Sequence, residues 1–333
     1  MTYPLGVAAR DHFVLTRRGA RPRRDAWRHQ GVIVEDERTA DGHVVGTATV
    51  FLTGRECPWR CAMCDLWRYT IAEDTPRGAI PAQLAAACDE LRGRADVVSQ
   101  IKLYNAGSFF DPRAVPDDDY EGVARRLGGF ARVIVESHPN LVGPRVDRLR
   151  EALDRHGATG RAAPRLEVAM GLETAHPEAL DRLNKRMTVE DFAHAAEQLR
   201  RRGASLRAFL LISPPFVPRA EQNHWLLRSV DVAFSCGAAV VTLIPTRPGN
   251  GALDALEGEF QPPTLDDIER SHGRAMAVHS RRGRIFVDLW DLQRFSGCPR
   301  CFETRRARLH AINLEQRLLV GPPCAACGAG AVP

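Results

Sequence analysis

Residues 47–65 read TATVFLTGRECPWRCAMCD, an apolar, β-branched run followed closely by three cysteines, Cys57, Cys61 and Cys64. The run at 47–52 has the composition of a buried strand. The cysteines follow it with C-x3-C-x2-C spacing, so they belong to the carboxyl end of that strand, where active sites collect in parallel α/β barrels. Three thiols on one short loop after a strand predict a metal centre at this end of the sheet.

The rest of the chain repeats the same unit, a short apolar strand followed by an amphipathic helix. Further strands are predicted at 101–105, 133–136, 166–170, 206–212, 239–244 and 285–289. Helices are predicted near 81–93, 117–127, 144–156, 188–203, 222–235 and 265–280. The clearest helix begins after Thr188, whose capping-box partner is Asp191. Repeated βα units predict an α/β fold with a parallel sheet, and six or seven of them indicate a partial (βα)6-type barrel.

Composition and patterning divide the chain into three parts and suggest its surroundings. Residues 1–44 are expected to be an irregular basic lead-in, 45–292 the partial barrel, and 293–333 a small cysteine-bearing tail. No apolar run approaches the ~20 residues of a membrane helix, and the first residues show no signal-peptide pattern. These observations predict a cytoplasmic protein without membrane attachment. Nine cysteines in a reducing compartment indicate metal binding or chemistry more than disulfides.

The spacing of the triplet suits an iron–sulfur cluster with one open position. A cubane of four irons usually takes four thiolates. Three cysteines on one loop bind three irons and leave the fourth free to chelate a small molecule. The alternatives are a chance triplet or a zinc loop.

This C-x3-C-x2-C motif resembles the signature of the radical S-adenosylmethionine (SAM) superfamily. The resemblance implies a 4Fe–4S cluster on Cys57, Cys61 and Cys64, with SAM bound at the open iron. An electron from a donor such as flavodoxin or ferredoxin then splits SAM into methionine and a 5′-deoxyadenosyl radical, which abstracts hydrogen from substrate. Met63 departs from the pattern, because the family usually has an aromatic residue there; a polarizable thioether can serve the same place.

Shorter strings at later strand ends resemble one branch of that superfamily, the branch of the Elongator catalytic subunit and the radical SAM subunit of archaeosine synthase. These strings are ESHP at 136–139 and GLET at 171–174. The resemblance implies that cofactor-binding residues lie at the barrel mouth, namely Asn105, Gly107, Ser108, Glu136 and Ser137. Glu173 and Arg247 are the catalytic candidates, and 213–216 is a candidate adenine wall. The alternatives are an ordinary βα turn, capping or surface carboxylates, and a solvated loop arginine.

The tail carries a second cysteine motif. Cys298, Cys301, Cys324 and Cys327 form a C-x2-C…C-x2-C pair of knuckles. Four thiolates suit a closed tetrahedral zinc site of structural role. An auxiliary iron–sulfur cluster and a site without metal are the alternatives.

The expected function is hydrogen abstraction from a small biosynthetic molecule by a radical SAM enzyme. Before Cys57 there is no cysteine, and the chain contains neither a P-loop nor an H-E-x-x-H motif. Radical modification of a tRNA base, possibly with a partner subunit, is the first alternative; the arginine-rich stretch at 17–28 would suit a polyanion. A non-catalytic protein that binds a cluster or SAM is the second alternative.

Overall fold

The computed structural model describes residues 2–94, 98–157, 162–256, 258–321 and 323–328. Eight strands form one sheet in which each strand lies next to its neighbour in sequence. They are Gly31–Arg38 (β1), Val44–Phe51 (β2), Val98–Tyr104 (β3), Arg132–Glu136 (β4), Arg165–Glu173 (β5), Ser205–Ile212 (β6), Ala238–Pro245 (β7) and Arg284–Val287 (β8). β2 through β8 are parallel, and β1 runs antiparallel to β2.

Helices connect the parallel strands and complete six βα units, which confirms the partial (βα)6-type barrel. The helices are Val7–Leu15 (α1), Ala79–Glu90 (α2), Tyr120–Leu127 (α3), Pro144–Arg155 (α4), Pro177–Arg182 (α5), Val189–Arg201 (α6), Gln222–Ser235 (α7), Leu265–His279 (α8) and Pro299–Glu315 (α9). None of the helices in the described residues has the length and apolarity needed to cross a membrane.

Local sequence explains where these elements begin and what they bury. Helix α6 begins as predicted, because Thr188 Oγ1 accepts from the Asp191 backbone and the Asp191 carboxylate accepts from the Thr188 backbone at 2.8 Å. Its apolar face, including Phe192 and Leu199, is buried against the sheet. A continuous core of this kind fixes the strand ends that carry the site.

The amino-terminal segment differs from the irregular lead-in that the sequence predicts. It contains α1 and the strand β1, which pairs with β2 from Gly31↔Phe51 to Arg38↔Val44. The sequence of β1, GVIVEDER, ends in charged residues that hide its strand character. Tertiary contacts explain these charges, since Glu37 lies inside the barrel and is buried.

Helix α9 lies across the open edge of the sheet. The side-chain amide of Asn313 accepts from the Val287 N–H and donates to the Val287 carbonyl, both at 2.9 Å. Gln316 makes the same pair of bonds to Ile285, at 2.8 and 3.1 Å. Arg38 of β1 also donates to a carbonyl near the end of α9. The tail therefore supplies the polar partners that a ninth strand would give β8. Residues 322 and 329–333 of the tail lie outside the described residues.

Candidate active site and metal centres

The three cysteines of the triplet lie on the loop after β2, at the carboxyl ends of the parallel strands. All three thiols are free. Burial raises the pKa of Cys61 to about 12 and also raises the pKa values of Cys57 and Cys64. Neutral buried thiols become thiolates when a metal centre supplies positive charge. The donor chemistry of this loop therefore fits a metal cluster.

Side chains from distant elements bind the backbone of the triplet loop. Asn184 donates to the Arg60 carbonyl and Asn250 donates to the Cys61 carbonyl, each at 3.0 Å. Gly249 approaches the Met63 carbonyl so closely that an added Cβ would lie 2.4 Å from it. The loop after β7 and the segment after α5 thus fix the triplet from two sides.

The residue before the triplet, Glu56, is a second anchor. Its buried carboxylate is bound by Arg18 at 2.5 Å, by Arg21, and by Arg60 at 3.3 Å. These charge-assisted bonds hold the pKa of Glu56 below its usual value, against the opposing effect of burial. Two arginines of the 17–28 stretch therefore bind the triplet loop.

A ring stack joins the triplet loop to the end of β4. The Trp59 indole lies on the His138 imidazole with ring centroids 3.6 Å apart and planes 8° from parallel. His138 Nε2 is 2.9 Å from the Lys185 carbonyl oxygen. Burial lowers the pKa of His138 to about 3, so the ring is neutral and packs without a charge.

A cavity of about 850 Å³ opens beside the triplet and extends into the barrel. Most of the residues predicted from sequence line it together, namely Cys57, Cys61, Cys64, Gly107, Ser108, Glu136, Ser137, Glu173 and Arg247. Asn105 is an exception. Its side chain is buried, neither amide atom has a partner among the described residues, and it does not line the cavity. Its role in cofactor binding stays a prediction.

Glu136 is an unsatisfied carboxyl group in the cavity wall. One of its oxygens, Oε2, is buried without a hydrogen-bond partner in the described part of the chain. Burial raises its pKa to about 8, opposed by the Asn105 backbone N–H and by the charge of Lys185. A carboxyl group in this state is suited to receive a donor or a cation from a bound molecule.

Glu173 is paired with a lysine that the sequence interpretation did not select. Lys185 Nζ lies 2.5 Å from Glu173 Oε1 and donates to the Gly171 carbonyl at 2.5 Å. Gly171 leaves room for this pair, because an added Cβ would lie about 2 Å from both charged groups. Glu173 has φ +66°, a strained value typical of functional sites. The sequence feature that could have identified Lys185 as a site residue is its position soon after the GLET string.

Arg247 is bound to the opposite wall of the cavity. Its guanidinium donates to Asp288 Oδ2 at 3.1 Å and to the Trp290 carbonyl at 2.5 Å. The Trp290 indole donates to the Glu35 carboxylate and packs against Phe51, with ring centroids 5.0 Å apart. In this structure Arg247 thus supports the wall formed by β1, β7 and β8.

The tail cysteines form a compact group separate from the cavity. The four sulfur atoms all lie within 4.8 Å of one another, and Cys301 Sγ is 3.8 Å from Cys327 Sγ. Zinc–sulfur bonds of ~2.3 Å at tetrahedral angles separate sulfurs by about 3.8 Å. Across the described residues no other set of three or more His, Cys, Asp or Glu side chains is this compact.

Comparison with known proteins agrees with this arrangement. The chain is 27% identical over 245 residues to archaeosine synthase subunit beta of Methanosarcina acetivorans, covering 70% of this chain and 68% of that protein. It is 30% identical over 123 residues to archaeosine synthase subunit beta of Thermococcus kodakarensis, covering 35% of each. No protein-family model matches the chain.

A solved structure shares the fold. Elp3 of Methanocaldococcus infernus, with residues 1–46 deleted, superposes with a TM-score of 0.51 at 14% identity. The match covers 70% of this chain and 59% of that one. The chain is thus similar in sequence to archaeosine synthase subunit beta and in fold to Elp3, which agrees with the radical SAM resemblance of its C-x3-C-x2-C motif.

The radical SAM resemblance implies SAM and a 4Fe–4S cluster as cofactors. The fit of the site is independent of that inference. A loop of three half-buried thiols, an unsatisfied carboxyl group at Glu136 and a large cavity converge at one end of the sheet. No other place among the described residues combines these features with strained strand ends such as Ala106 and Glu173.

Proposed function

We propose that this chain is a radical SAM enzyme that abstracts a hydrogen atom from a small biosynthetic molecule. In this proposal Cys57, Cys61 and Cys64 hold the cluster. When bound, the reduced cluster supplies the electron that splits SAM into methionine and a 5′-deoxyadenosyl radical, which takes hydrogen from substrate. The cavity beside the triplet carries the proposal, because its volume of about 850 Å³ is within the usual range for small-molecule sites.

The wall residues have separate tasks in the proposal. Gly107, Ser108 and Ser137 lie beside the triplet and offer backbone approach and hydroxyl groups to SAM. Glu136 accepts a donor or cation that its free oxygen lacks. The Glu173–Lys185 pair presents both charges to the cavity while cancelling most of their field. Asn184 and Asn250 keep the loop in place, so that substrate and SAM meet in a fixed geometry.

The C-terminal group is proposed to hold one zinc ion of structural role on Cys298, Cys301, Cys324 and Cys327. The 3.8 Å sulfur separation supports a single tetrahedral ion over an auxiliary cluster, whose thiolates bind different irons. Elemental analysis of protein purified in air should give about one zinc per chain. Iron in place of zinc at these cysteines contradicts this assignment.

Modification of a tRNA base with a partner subunit is the second candidate function. The names of the two relatives favour it, because both are called archaeosine synthase subunit beta. The arginine-rich stretch argues for the small molecule instead. Arg18 and Arg21 bind Glu56, and Arg24 donates to the Arg68 carbonyl and lies over the Tyr69 ring, so this stretch packs on the triplet loop.

The proposal is tested with anaerobically reconstituted protein and deuterated candidate substrates. Reduced protein should form 5′-deoxyadenosine from SAM. The correct substrate should raise the rate of this reaction and transfer its deuterium to the 5′-deoxyadenosine. Total tRNA is the parallel probe. Deuterium transfer from tRNA alone favours the second candidate, whereas absence of 5′-deoxyadenosine under all conditions refutes both enzymes.

A further inference from the structure

The inner part of the cavity ends in a buried network of charges that the proposed cofactor site does not use. Lys102 Nζ lies 2.6 Å from Glu37 Oε2. Arg207 donates to both oxygens of Glu37, and its Nε donates to Glu167 at 2.7 Å. Arg132 donates to the other oxygen of Glu167 at 2.9 Å. Burying charged groups costs several kcal/mol for each ion unless partners compensate, so this network requires an explanation.

The network lies below the strand ends that carry the triplet. Glu167 precedes Glu173 by six residues on β5, about 20 Å at ~3.3 Å per residue. Lys102 precedes the last residue of β3 by only two residues, about 7 Å by the same rise. Lys102 also lines the cavity. A molecule that enters through the mouth of the cavity therefore reaches Lys102 before the other members of the network.

The charges of the network do not cancel. Three cations (Lys102, Arg207 and Arg132) face two carboxylates (Glu37 and Glu167), and 3 − 2 leaves one positive charge. Arg207 uses all three of its nitrogens in the network. Lys102 has one partner among the described residues, Glu37, although an ammonium group has three donors. The surplus charge and the spare donors are thus both available at Lys102.

Residues with neutral hydroxyl groups also line the cavity. The hydroxyl groups of Thr47 and Thr242 are buried without a hydrogen-bond partner in the part of the chain that the structure describes. Thr47 is 1% exposed, and both threonines line the cavity together with Tyr104. Buried polar groups in proteins are normally satisfied, so these hydroxyls lack a partner that a bound molecule or a water would supply.

Lysine itself is rare in this chain. Of its 46 basic residues only Lys102 and Lys185 are lysines, and the others are arginines. Both lysines line the cavity. Lysine differs from arginine in offering a compact point charge with rotatable donors. Lys185 is already paired with Glu173, which leaves Lys102 as the lysine with unused capacity.

We infer that Lys102, Thr47, Tyr104 and Thr242 bind a carboxylate or another compact anionic group of the substrate. This inference rests on the proposed function and names the class of its substrate: a small acid whose reacting carbon lies nearer the triplet than its acidic group. Among the arginines that line the cavity, Arg247 is paired with Asp288, so it does not compete for the anion.

The two lysines make a direct test possible. Oxidised holoenzyme labelled with 13C-lysine should give two lysine Cε signals in an NMR spectrum, and a Lys102→Arg variant assigns them. Acetate, and separately inorganic phosphate, are titrated against chloride at constant ionic strength. The Lys102 signal should shift saturably while the Lys185 signal stays in place. In a Thr47→Val variant the same shift should need about ten-fold more anion, as expected for one lost hydrogen bond.

Each other outcome overturns the inference. A shift of neither signal means that no anion binds, equal and unsaturable shifts of both mean charge screening, and a shift of Lys185 alone places the anion at Glu173. Reductive cleavage of SAM by the same wild-type protein is measured in parallel. If SAM is cleaved but Lys102 does not respond, the inference fails and the proposed function stands; if SAM is not cleaved, the proposed function fails independently of the NMR result.

Discussion

The two cysteine groups of this protein are held in opposite ways. The tail group is compact and mostly self-contained: two knuckles bring four sulfurs within 4.8 Å of one another. The triplet lies on one loop whose position depends on other elements, including Asn184, Asn250 and the ring of His138. A closed ion site of the tail's kind stabilises a fold, whereas an open one must be positioned relative to a cavity. We therefore expect SAM cleavage to depend on the triplet and not on the tail group.

Substitution of single cysteines is expected to have the largest effect. Cys61→Ser should abolish formation of 5′-deoxyadenosine from SAM, because it removes one of three cluster ligands. Cys327→Ser should remove the tail metal and leave 5′-deoxyadenosine formation in place. Iron content and product are measured on the same samples. The matched controls are Cys88→Ser and Cys236→Ser, which belong to neither group. Equal loss of 5′-deoxyadenosine formation in Cys61→Ser and Cys327→Ser would contradict this difference between the two groups.

The positioning of the triplet loop can be weakened without touching a cysteine. Asn250→Ala removes the hydrogen bond to the Cys61 carbonyl. Leaving a buried acceptor unsatisfied costs about 1–3 kcal/mol of stability. We expect iron to be lost faster to a chelator and the rate of SAM cleavage to fall. Asn140→Ala is the control, because exposed Asn140 donates to a carbonyl outside the loop, that of Arg186. An Asn250 variant as stable to chelator as this control contradicts the anchoring role.

For the tail, the analogous test concerns the amides that cover β8. Asn313→Ala leaves the Val287 N–H and carbonyl without their partner, and we expect the free energy of unfolding to fall by about 1–3 kcal/mol. Hydrogen exchange at β8 should become faster, while SAM cleavage changes less than in Asn250→Ala. The half-buried amide of Gln198, which bonds to His194 and Arg202 on its own side of α6, provides the control, Gln198→Ala. If hydrogen exchange at β8 is unchanged in Asn313→Ala, then α9 does not protect this edge of the sheet.

A separate prediction concerns pH and Glu136. Its folded pKa of about 8 lies above that of an unfolded glutamate, ~4.3, so the folded state binds this proton more tightly. The resulting stability is complete below the unfolded pKa and is lost as the pH rises toward 8. Thermal unfolding of SAM-free protein should therefore lose stability between about pH 5 and pH 8, and Glu136→Gln should reduce that loss. Identical pH profiles for the two proteins would show that Glu136 is not held protonated.

The sequence predicted the barrel well because its signals are local. Apolar strands, capping residues such as Thr188 and the spacing of the cysteines all act within a few residues. The misses involve distant contacts. The charged end of β1 is stable only because Lys102 and Arg207 lie opposite Glu37 in the barrel. Helix α9 depends on the free edge of β8.

The candidate adenine wall at 213–216 lies away from the cavity, and its contact with SAM stays a prediction. Phe216 stacks on Tyr3 with ring centroids 5.0 Å apart, next to α1, and the segment does not line the cavity. A sequence position after a strand indicates the correct end of the sheet, but not which side chains turn inward. Lys185 shows the converse, since its pairing with Glu173 depends on a contact between the end of β5 and the segment after α5.

Electron paramagnetic resonance of the reduced wild-type protein, with and without SAM, tests the central claim most directly. The account predicts about four irons on the triplet, a reduced-cluster signal that changes when SAM is added, and 5′-deoxyadenosine in the same sample. A cluster signal that SAM leaves unchanged, with no 5′-deoxyadenosine formed, would contradict an open cluster on Cys57, Cys61 and Cys64.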